Sequence, residues 1–365
     1  MTTNPMGAAV EALGVAVAAR VPVLLWGAPG TGKTSAIRAM AQAMGLPCET
    51  VIASIREPSD FAGLPIVVGD GVRFAPPMWA RRLADAGHGL LFLDELSTAP
   101  PAVQAALLRV VLERAVGDLT LPDQVAVVAA ANPPEQAADG WDLSAPLANR
   151  MCHLTWEVRP RAVADGLAGG WAAPEVPLLP DDWQAAEILS RGLVAAFLQV
   201  RPALACAPPS DAASAGRGWP SPRTWEMTAR LMAAANAAGA SQDARSALIR
   251  GAVGDGAGVE FLAWVIEMDL PDPEAVLAEP GSFRLPERGD RAYAALAAVA
   301  SAVAANPTVA RWTAGWRILG LAADAAPDVA AVAARVLARC RPHEVRTMPE
   351  EIKRFGPVLR DAGLL

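Results

Sequence analysis

The sequence contains few residues of the types that build disulfide frameworks and metal clusters. Among its 365 residues the four cysteines lie far apart, at Cys48, Cys152, Cys206 and Cys340. The three histidines are equally scattered, at His88, His153 and His343. No two cysteines form a Cys-x-x-Cys pair, so the sequence predicts neither a disulfide scaffold nor a zinc site.

Lysine is nearly absent as well. Arginine supplies 29 of the 31 cationic side chains, and the two lysines are Lys33 and Lys353. A sequence that uses arginine as its general surface cation keeps lysine mainly where a compact ammonium group on a flexible stem is needed. Lys33 lies in a glycine-rich segment and is therefore the first candidate functional residue, whereas no motif surrounds Lys353.

Charge and hydrophobicity exclude further classes of protein. The 38 acidic residues give a net charge of −7, which argues against a broad nucleic-acid-binding surface but leaves a local basic groove open. A hydrophobic content of 53% predicts folded cores, and the length predicts two or three domains. We expect no membrane span, because Asn306 and Pro307 interrupt the longest uncharged run. Residues 1–14 lack the basic start of an export signal, so a cytoplasmic location is expected.

The first half of the chain alternates between predicted strands and helices. The apolar runs expected to form strands are Val23–Trp26, Cys48–Ala53, Leu90–Leu93, Val125–Ala131 and Cys152–Val158. Helical spacing is present in Ser35–Met44, and a Pro-Pro pair precedes a second helix at Ala102–Arg114. Continuous apolar runs are typical of strands covered on both faces, so we expect an α/β domain with a mainly parallel, five-stranded sheet.

The second half predicts helices without strands. Alanine-rich helical stretches are expected at Gln184–Leu204, Thr224–Ala238, Gln242–Val253, Val259–Met268, Arg291–Ala305, Val309–Ala323 and Asp328–Cys340. Proline-rich breaks separate them at Ala172–Pro180, Ala207–Pro222 and Leu270–Pro286. We therefore divide the chain into an α/β core at residues 1–160, a small helical domain at 161–270 and a helical C-terminal region at 271–365.

A phosphate-binding motif follows the first predicted strand. Residues Gly27-Ala28-Pro29-Gly30-Thr31-Gly32-Lys33-Thr34 match the pattern G-x-x-x-x-G-K-T. Its glycines allow a tight turn whose N–H groups point into a concavity, and the next helix directs its positive N-terminal end to the same place. In this pattern Lys33 reaches the β- and γ-phosphates, and the Thr34 hydroxyl binds Mg²⁺. We therefore predict that this segment, extended to Ser35, binds Mg-ATP.

Polar side chains end two further apolar strands. The carboxyl ends of parallel strands form the ligand-binding edge of an open α/β sheet, which directs Asp94 and Glu95 towards the predicted phosphate site. Asp94 is expected to hold Mg²⁺ through water, and Glu95 to orient and polarise an attacking water molecule. Asn132 is expected beside the γ-phosphate as a second group that orients this water; a turn residue before Pro133 is the alternative.

Two arginines complete the set. Because arginine is common in this chain, we choose them by their positions relative to the other motifs. Arg150 directly precedes the last predicted strand, and Arg223 starts a helix after a proline-rich loop. In this order the motifs resemble those of the AAA+ superfamily of ring-forming ATPases. By this resemblance Gly27–Thr34 is Walker A, Leu90–Glu95 is Walker B, Asn132 is sensor 1, Arg150 is the arginine finger and Arg223 is sensor 2.

Within AAA+, the sequence resembles the MoxR-like group. The stretches that carry this resemblance are Arg56–Gly63, Ala105–Arg114, Asn132–Gln136 and Leu147–Met151. Two short stretches depart from the pattern of the group. Leu96-Ser97-Thr98 stands where members usually show Ile-Asn-Arg, and Asn149-Arg150-Met151 stands where they show Asp-Arg-Phe.

The resemblance implies a ring, expected to be a hexamer, with each ATP site at an interface between subunits. Arg150 would act on the ATP of the neighbouring subunit. Arg223 would act within its own subunit and couple the helical lid at residues 161–270 to the nucleotide state. The resemblance also implies chaperone-like remodelling of a protein client, or metal-cofactor maturation, with a partner that bears a von Willebrand factor A domain. The apolar stretch Val72–Trp79 is the candidate client contact, and a buried packing segment is the alternative.

Two other functions stay open at this point. A DNA-acting AAA+ motor is opposed by the acidic balance and by the lack of a cluster of basic residues, so nucleic acid is not an expected partner. A nucleotide-gated scaffold with little turnover is opposed by the presence of Glu95, Asn132 and Arg150. A P-loop kinase gives no reason for a helical lid that carries Arg223.

Overall fold

The computed structural model of the chain describes residues 5–133, 136 and 141–364. Pro134 and Glu135, which belong to one of the MoxR-like stretches, lie outside the described residues. Contacts divide the described chain into two compact units. The first unit contains the residues up to 180 together with 205–259, and the second contains residues 181–204 and 260–364.

A parallel sheet forms the core of the first unit. The strands in the described residues are β1 (Val23–Trp26), β2 (Cys48–Ile52), β3 (Leu64–Val68), β4 (Gly71–Ala75), β5 (His88–Asp94), β6 (Ala115–Val116), β7 (Leu119–Thr120), β8 (Gln124–Ala131) and β9 (Cys152–Thr155). Five of them form one sheet in the order β2-β5-β8-β1-β9, and every neighbouring pair is parallel. The predicted α/β core with a five-stranded sheet is therefore confirmed. All of β1 is buried, as expected of a central strand.

Along the chain, the helices of the first unit precede, separate and follow these strands. They are α1 (Pro5–Ala18), α2 (Lys33–Ala43), α3 (Ser59–Ala62), α4 (Met78–Ala86), α5 (Pro101–Glu113), α6 (Ala145–Ala148) and α7 (Pro160–Gly169). After α8 (Ala186–Val200), which belongs to the second unit, the first unit continues with α9 (Ala212–Ala215), α10 (Pro222–Ala237) and α11 (Gln242–Val253). α11 packs against α1, α10 and β9, which joins this late part of the chain to the sheet.

Local sequence explains where two of these late helices begin. Ser221 caps α10: its hydroxyl accepts a hydrogen bond from the backbone N–H of Thr224, and the Thr224 hydroxyl accepts one from the backbone N–H of Ser221. Pro222 occupies the first turn, where its missing N–H costs nothing. Ser241 caps α11 and also donates to Glu11 of α1 at 2.6 Å.

Two hairpins that the sequence did not predict interrupt the α/β pattern. β3 pairs with antiparallel β4, and β6 pairs with antiparallel β7. Asp118, in the β6–β7 turn, accepts a hydrogen bond from the backbone N–H of Phe74. The β3–β4 hairpin exposes apolar side chains, with Val67 81% and Phe74 45% exposed. The candidate client segment Val72–Trp79 is therefore divided between exposed β4 and helix α4, in which Trp79 is buried.

The second unit is helical throughout its described residues. It contains α8, most of α12 (Asp255–Glu267), α13 (Pro273–Ala278), α14 (Gly289–Ala305), α15 (Val309–Ala322), α16 (Pro327–Arg339) and α17 (Gly356–Asp361). α14 packs against α8 and α16, and Trp312 and Trp316 lie in the core of this unit. None of the described helices combines the length and the apolar character that a membrane crossing requires.

The boundaries of the two units do not coincide with the boundaries predicted at 160/161 and 270/271. Residues 186–200 fall within the predicted lid, yet they form α8 and pack against α14 of the second unit. α10 and α11 also fall within the predicted lid, yet they group with the sheet. A separate helical lid at residues 161–270 therefore stays a prediction.

Candidate functional site

The glycine-rich loop joins β1 to α2 at the carboxyl edge of the sheet. Gly30 and Gly32 adopt left-handed backbone conformations with φ of 75° and 84°, which glycine adopts without strain. A Cβ atom at either position would meet nothing within 4 Å, so both glycines face open space. α2 begins at Lys33, directly after Gly32, and its first N–H groups therefore face the same concavity. This arrangement fits a bound polyphosphate.

The loop lines a cleft of about 390 Å³. The lining residues are Pro29, Gly30, Thr31, Gly32, Lys33, Thr34, Ser35, Asp94, Glu95, Ala130, Ala131 and Asn132. They come from the ends of three neighbouring strands, β1, β5 and β8. The structure thus brings the predicted loop, the acidic pair and Asn132 around one cleft.

Lys33 is the buried cation of this cleft. Its side chain is 8% exposed, and its Nζ donates to the carbonyls of Gly27 and Ala28 at 2.6 and 2.9 Å and to Asn132 Oδ1 at 3.0 Å. Burial lowers the pKa of Lys33, and the charge of Asp94 partly opposes this effect. All three acceptors are neutral, so the ammonium group keeps an electrostatic preference for an anion such as a phosphate.

Thr34 and Asp94 meet beside Lys33. The Thr34 hydroxyl donates to Asp94 Oδ2 at 2.8 Å, while the backbone N–H of Glu95 donates to Asp94 Oδ1 at 3.0 Å. A hydroxyl and a carboxylate next to a phosphate-binding loop form the oxygen donor set that Mg²⁺ prefers, with substrate phosphates and water as the remaining ligands. These two residues therefore fit the predicted magnesium site.

Glu95 has a partner that sequence reasoning missed. Its backbone is left-handed, with φ 55° and ψ 42°, which is uncommon for a residue other than glycine and occurs often at active sites. The Ser54 hydroxyl donates to Glu95 Oε2. Ser54 follows β2, which is the neighbour of β5 in the sheet. A correct prediction of the strand order would therefore have placed Ser54 beside Glu95.

A second missed residue supports Asn132. Ser97 is 2% exposed, and its hydroxyl accepts a hydrogen bond from the backbone N–H of Asn132 at 3.2 Å. The Asn132 amide oxygen meanwhile accepts from Lys33. Ser97 lies in the Leu96-Ser97-Thr98 departure from the MoxR-like pattern, and the departure was the available signal.

The segment around β9 supports the loop from its other side. The indole N–H of Trp156 donates to the carbonyl of Thr31 at 3.0 Å. A Cβ atom on Gly27 would lie 2.7 Å from the carbonyl oxygen of Trp156, so only glycine fits there. A tryptophan after a strand carries no sequence signal for this contact, because it forms across 125 residues of chain.

His153 links the loop to the segment that carries Arg150. The indole N–H of Trp26 donates to His153 Nδ1 at 2.8 Å, so Nε2 carries the proton and donates to the carbonyl of Ala148 at 2.9 Å. Burial lowers the pKa of His153 to about 4, and the charge of Arg217 lowers it further. The ring is therefore neutral near pH 7 and serves as a fixed connector.

A hydrogen bond between Asn149 and Ser221 joins the segments that carry Arg150 and Arg223, and neither arginine lines the cleft of its own chain. Burial lowers the pKa of Arg150, and the positive charge of Arg223 lowers it further. Within the described residues, Arg150 makes one hydrogen bond, from Nη1 to the carbonyl of Pro146 at 2.5 Å, and Arg223 makes neither a hydrogen bond nor an ion pair. The buried Arg150 Nε has no partner there either. Two cations on joined segments, with no carboxylate partner in the part of the chain that the structure describes, favour an anion.

Comparison with known proteins agrees with this geometry. Residues 22–150 match the sequence model of the ATPase family associated with various cellular activities (AAA). Protein MoxR of Methylorubrum extorquens is 36% identical over 110 residues, which cover 30% of this chain and 32% of that protein. The chain thus matches about a third of the length of this curated relative.

Two solved structures are also similar. A predicted ATPase from Cytophaga hutchinsonii is 18% identical with a TM-score of 0.41, and the match covers 70% of this chain and 79% of the other. A full-length MCM homologue from Methanopyrus kandleri is 18% identical with a TM-score of 0.39, and the match covers 70% of this chain and 54% of the other.

Proposed function

We propose that the protein is a Mg-ATP-dependent remodelling ATPase of the AAA+ superfamily, because residues 22–150 match an AAA family model and part of the chain is similar to a MoxR protein. The observation that carries the proposal is the single cleft in which Lys33, Thr34, Asp94, Glu95 and Asn132 meet. Hydrogen bonds between Thr34 and Asp94, and between Lys33 and Asn132, already connect the phosphate loop to the ends of β5 and β8.

Each residue of the cleft has a role that follows from its geometry. The backbone N–H groups of the loop and Lys33 bind the β- and γ-phosphates. Thr34 and Asp94 would hold Mg²⁺, which would supply positive charge against the phosphate oxygens. Asn132, which now accepts from Lys33, lies where its amide can orient a water molecule, and Glu95 polarises that water. Release of the Ser54 contact would free both oxygens of the Glu95 carboxylate for that water.

We assign Arg150 and Arg223 together to the ATP of a neighbouring subunit. The cleft of their own chain is lined by other residues, and neither arginine has an acidic partner in the described residues. Arginines that neutralise charge on a transferring phosphoryl group are worth about 10³ to 10⁵ in rate in other P-loop enzymes. This assignment replaces the same-subunit role that the resemblance implies for Arg223. It requires a ring of identical copies, for which a hexamer is our expectation.

The client side of the proposal rests on the β3–β4 hairpin. A two-stranded ribbon with exposed valines and a phenylalanine is an unusual feature for a surface with no partner. We propose that it contacts a protein client in chaperone-like remodelling or metal-cofactor maturation. A partner with a von Willebrand factor A domain and a cytoplasmic location belong to the same proposal.

ATP turnover tests the proposed function directly. Lys33→Ala removes the phosphate-binding ammonium, and Glu95→Gln removes the group that polarises water. We expect both variants to lose at least 100-fold in kcat, with ATP binding weakened in Lys33→Ala and retained in Glu95→Gln.

The chain offers a matched control in its other lysine. Lys353 is exposed and lies 3.6 Å from Glu350, far from any motif. Lys353→Ala should therefore hydrolyse ATP at the wild-type rate. Equal turnover in the wild type, Lys33→Ala and Glu95→Gln would overturn the enzymatic proposal.

A further inference from the structure

A buried polar network lies between the segments that carry Arg150 and Arg223. Asn149, Ser221 and Thr224 are 3%, 6% and 0% exposed. The Ser221 hydroxyl donates to Asn149 Oδ1 at 2.8 Å, and Asn149 Nδ2 donates to the carbonyl of Trp219 at 3.2 Å. Because 72 residues separate Asn149 from Ser221, this network joins two segments that are distant in sequence.

The side chain of Asn149 uses both ends of its amide. The oxygen accepts from Ser221 and the nitrogen donates to Trp219, and a carboxylate could perform the first task but not the second. Asn149 is also one of the two positions at which this chain departs from the Asp-Arg-Phe pattern of the MoxR-like group. The departure therefore changes the contacts at this position, because the amide of Asn149 donates to the carbonyl of Trp219 and a carboxylate could not.

Ser221 has two tasks as well. Its hydroxyl caps α10 by accepting from the backbone N–H of Thr224 at 3.2 Å, and the same hydroxyl donates to Asn149. Arg223 lies in the first turn of α10, two residues after this cap, and Arg150 directly follows Asn149. The backbone positions of both arginines are therefore set within two residues of one buried hydrogen bond.

We infer that Asn149 and Ser221 are positioning residues that hold Arg150 and Arg223 as one two-arginine clamp for the γ-phosphate on a neighbouring subunit. The inference rests on the proposed ATPase function and adds the groups that fix the clamp. Repulsion between two guanidinium groups separates them unless their backbones are held, so the buried contact opposes that separation. Misplacement of a catalytic group by about 1 Å can cost about 100-fold in rate.

Three substitutions separate positioning from simple stability. Ser221→Gly removes the bond to Asn149 at little cost to the start of the helix, because glycine is a tolerated N-cap residue. Ser221→Thr keeps a hydroxyl and should rescue the function. Asn149→Ala removes the other partner of the same bond, so the double variant Asn149→Ala/Ser221→Gly should lose no more in kcat than the worse single variant.

Thr308 provides the matched control. It caps α15 in the second unit through its hydroxyl, which accepts from the backbone N–H of Arg311 at 3.3 Å. Thr308→Gly thus removes a helix cap of the same kind without touching either arginine. It should leave kcat unchanged.

The assay measures kcat for ATP, binding of a fluorescent ATP analogue and turnover in mixed assemblies. We expect Ser221→Gly and Asn149→Ala to lower kcat by about 10- to 100-fold with unchanged analogue affinity, because their own clefts are intact. Mixing Ser221→Gly with excess Lys33→Ala should restore turnover, since Lys33→Ala subunits present intact arginines to the clefts of Ser221→Gly subunits.

The outcomes distinguish the clamp from the function on which it rests. Wild-type turnover that is lost in Lys33→Ala establishes the ATPase, and unchanged kcat in Ser221→Gly and Asn149→Ala would then overturn the clamp alone. Reduced kcat with weakened analogue binding and no rescue by Lys33→Ala would also overturn it, because a structural defect would explain both. A wild type without turnover would overturn the ATPase and the clamp together.

Discussion

At the scale of single residues, the cleft contains a contact that we expect to oppose catalysis. Ser54 donates to the carboxylate of Glu95, the group that would polarise the attacking water. A carboxylate held in this way is less available as an acceptor for water, so the contact should slow ATP turnover.

Ser54→Ala is therefore expected to raise basal kcat several-fold without changing the affinity for ATP. Steady-state ATP turnover and analogue binding measure the two effects separately. Ser210→Ala, on an exposed loop of the first unit, is a serine control. A fall in kcat in Ser54→Ala would show instead that Ser54 holds Glu95 in its productive position.

His153 gives a prediction about pH at the same scale. Burial depresses its pKa to about 4 from an ordinary value near 6.5, so the unfolded chain binds a proton more readily than the folded chain between these values. Its contribution to stability is fully present above about pH 6.5 and is lost as the pH falls towards 4. The loss is on the order of 3 kcal/mol at the lower limit.

Thermal unfolding measured from pH 7.5 to pH 4.5 checks this prediction. The wild type should lose stability more steeply with falling pH than His153→Gln, which keeps polar atoms but cannot gain the charge. Parallel pH profiles for the two proteins would mean that other groups cause the acid sensitivity.

At the scale of elements, periodicity and apolar runs predicted strands and helices such as β1 and α11. Exposed strands and contacts between distant parts of the chain were not predicted. β1 was predicted with its observed bounds, and α11 likewise, since each is bounded by clear local signals. β3 and β4 were missed because their side chains are exposed on a ribbon that no burial pattern marks. Ser54, Trp156 and Asn149 were missed as contributors to the site, since their partners lie 41 or more residues away.

The β3–β4 hairpin carries the prediction at this scale. Val67→Thr/Val72→Thr keeps two β-branched residues in paired positions while removing apolar surface, so the hairpin should persist. We expect unchanged basal ATP turnover and a clear loss of any stimulation by an unfolded protein such as casein. Leu178→Thr, at a position 82% exposed outside the hairpin, should keep that stimulation. Equal stimulation in all variants would show that the hairpin does not contact the client.

At the scale of the whole molecule, the proposed catalytic groups of one subunit lie on two separate surfaces. One surface is the cleft with Lys33, Thr34, Asp94, Glu95 and Asn132, and the other is the arginine pair with its buried Asn149–Ser221 support. Sequence motifs predicted which residues belong to the set, because each motif can be recognised from its own neighbouring residues. They could not predict that Arg150 and Arg223 lie together, because that depends on how residues 205–259 fold against the sheet.

We propose that two copies of the chain hydrolyse each ATP together, and complementation between two inactive variants tests this most directly. Lys33→Ala subunits bind ATP weakly and hydrolyse little of it but retain both arginines, whereas Arg150→Ala subunits bind ATP but lack part of the clamp. Each variant alone should be nearly inactive, and a mixture should regain a substantial fraction of wild-type turnover per Arg150→Ala subunit. A mixture as inactive as its components, or full activity in Arg150→Ala alone, would contradict the account.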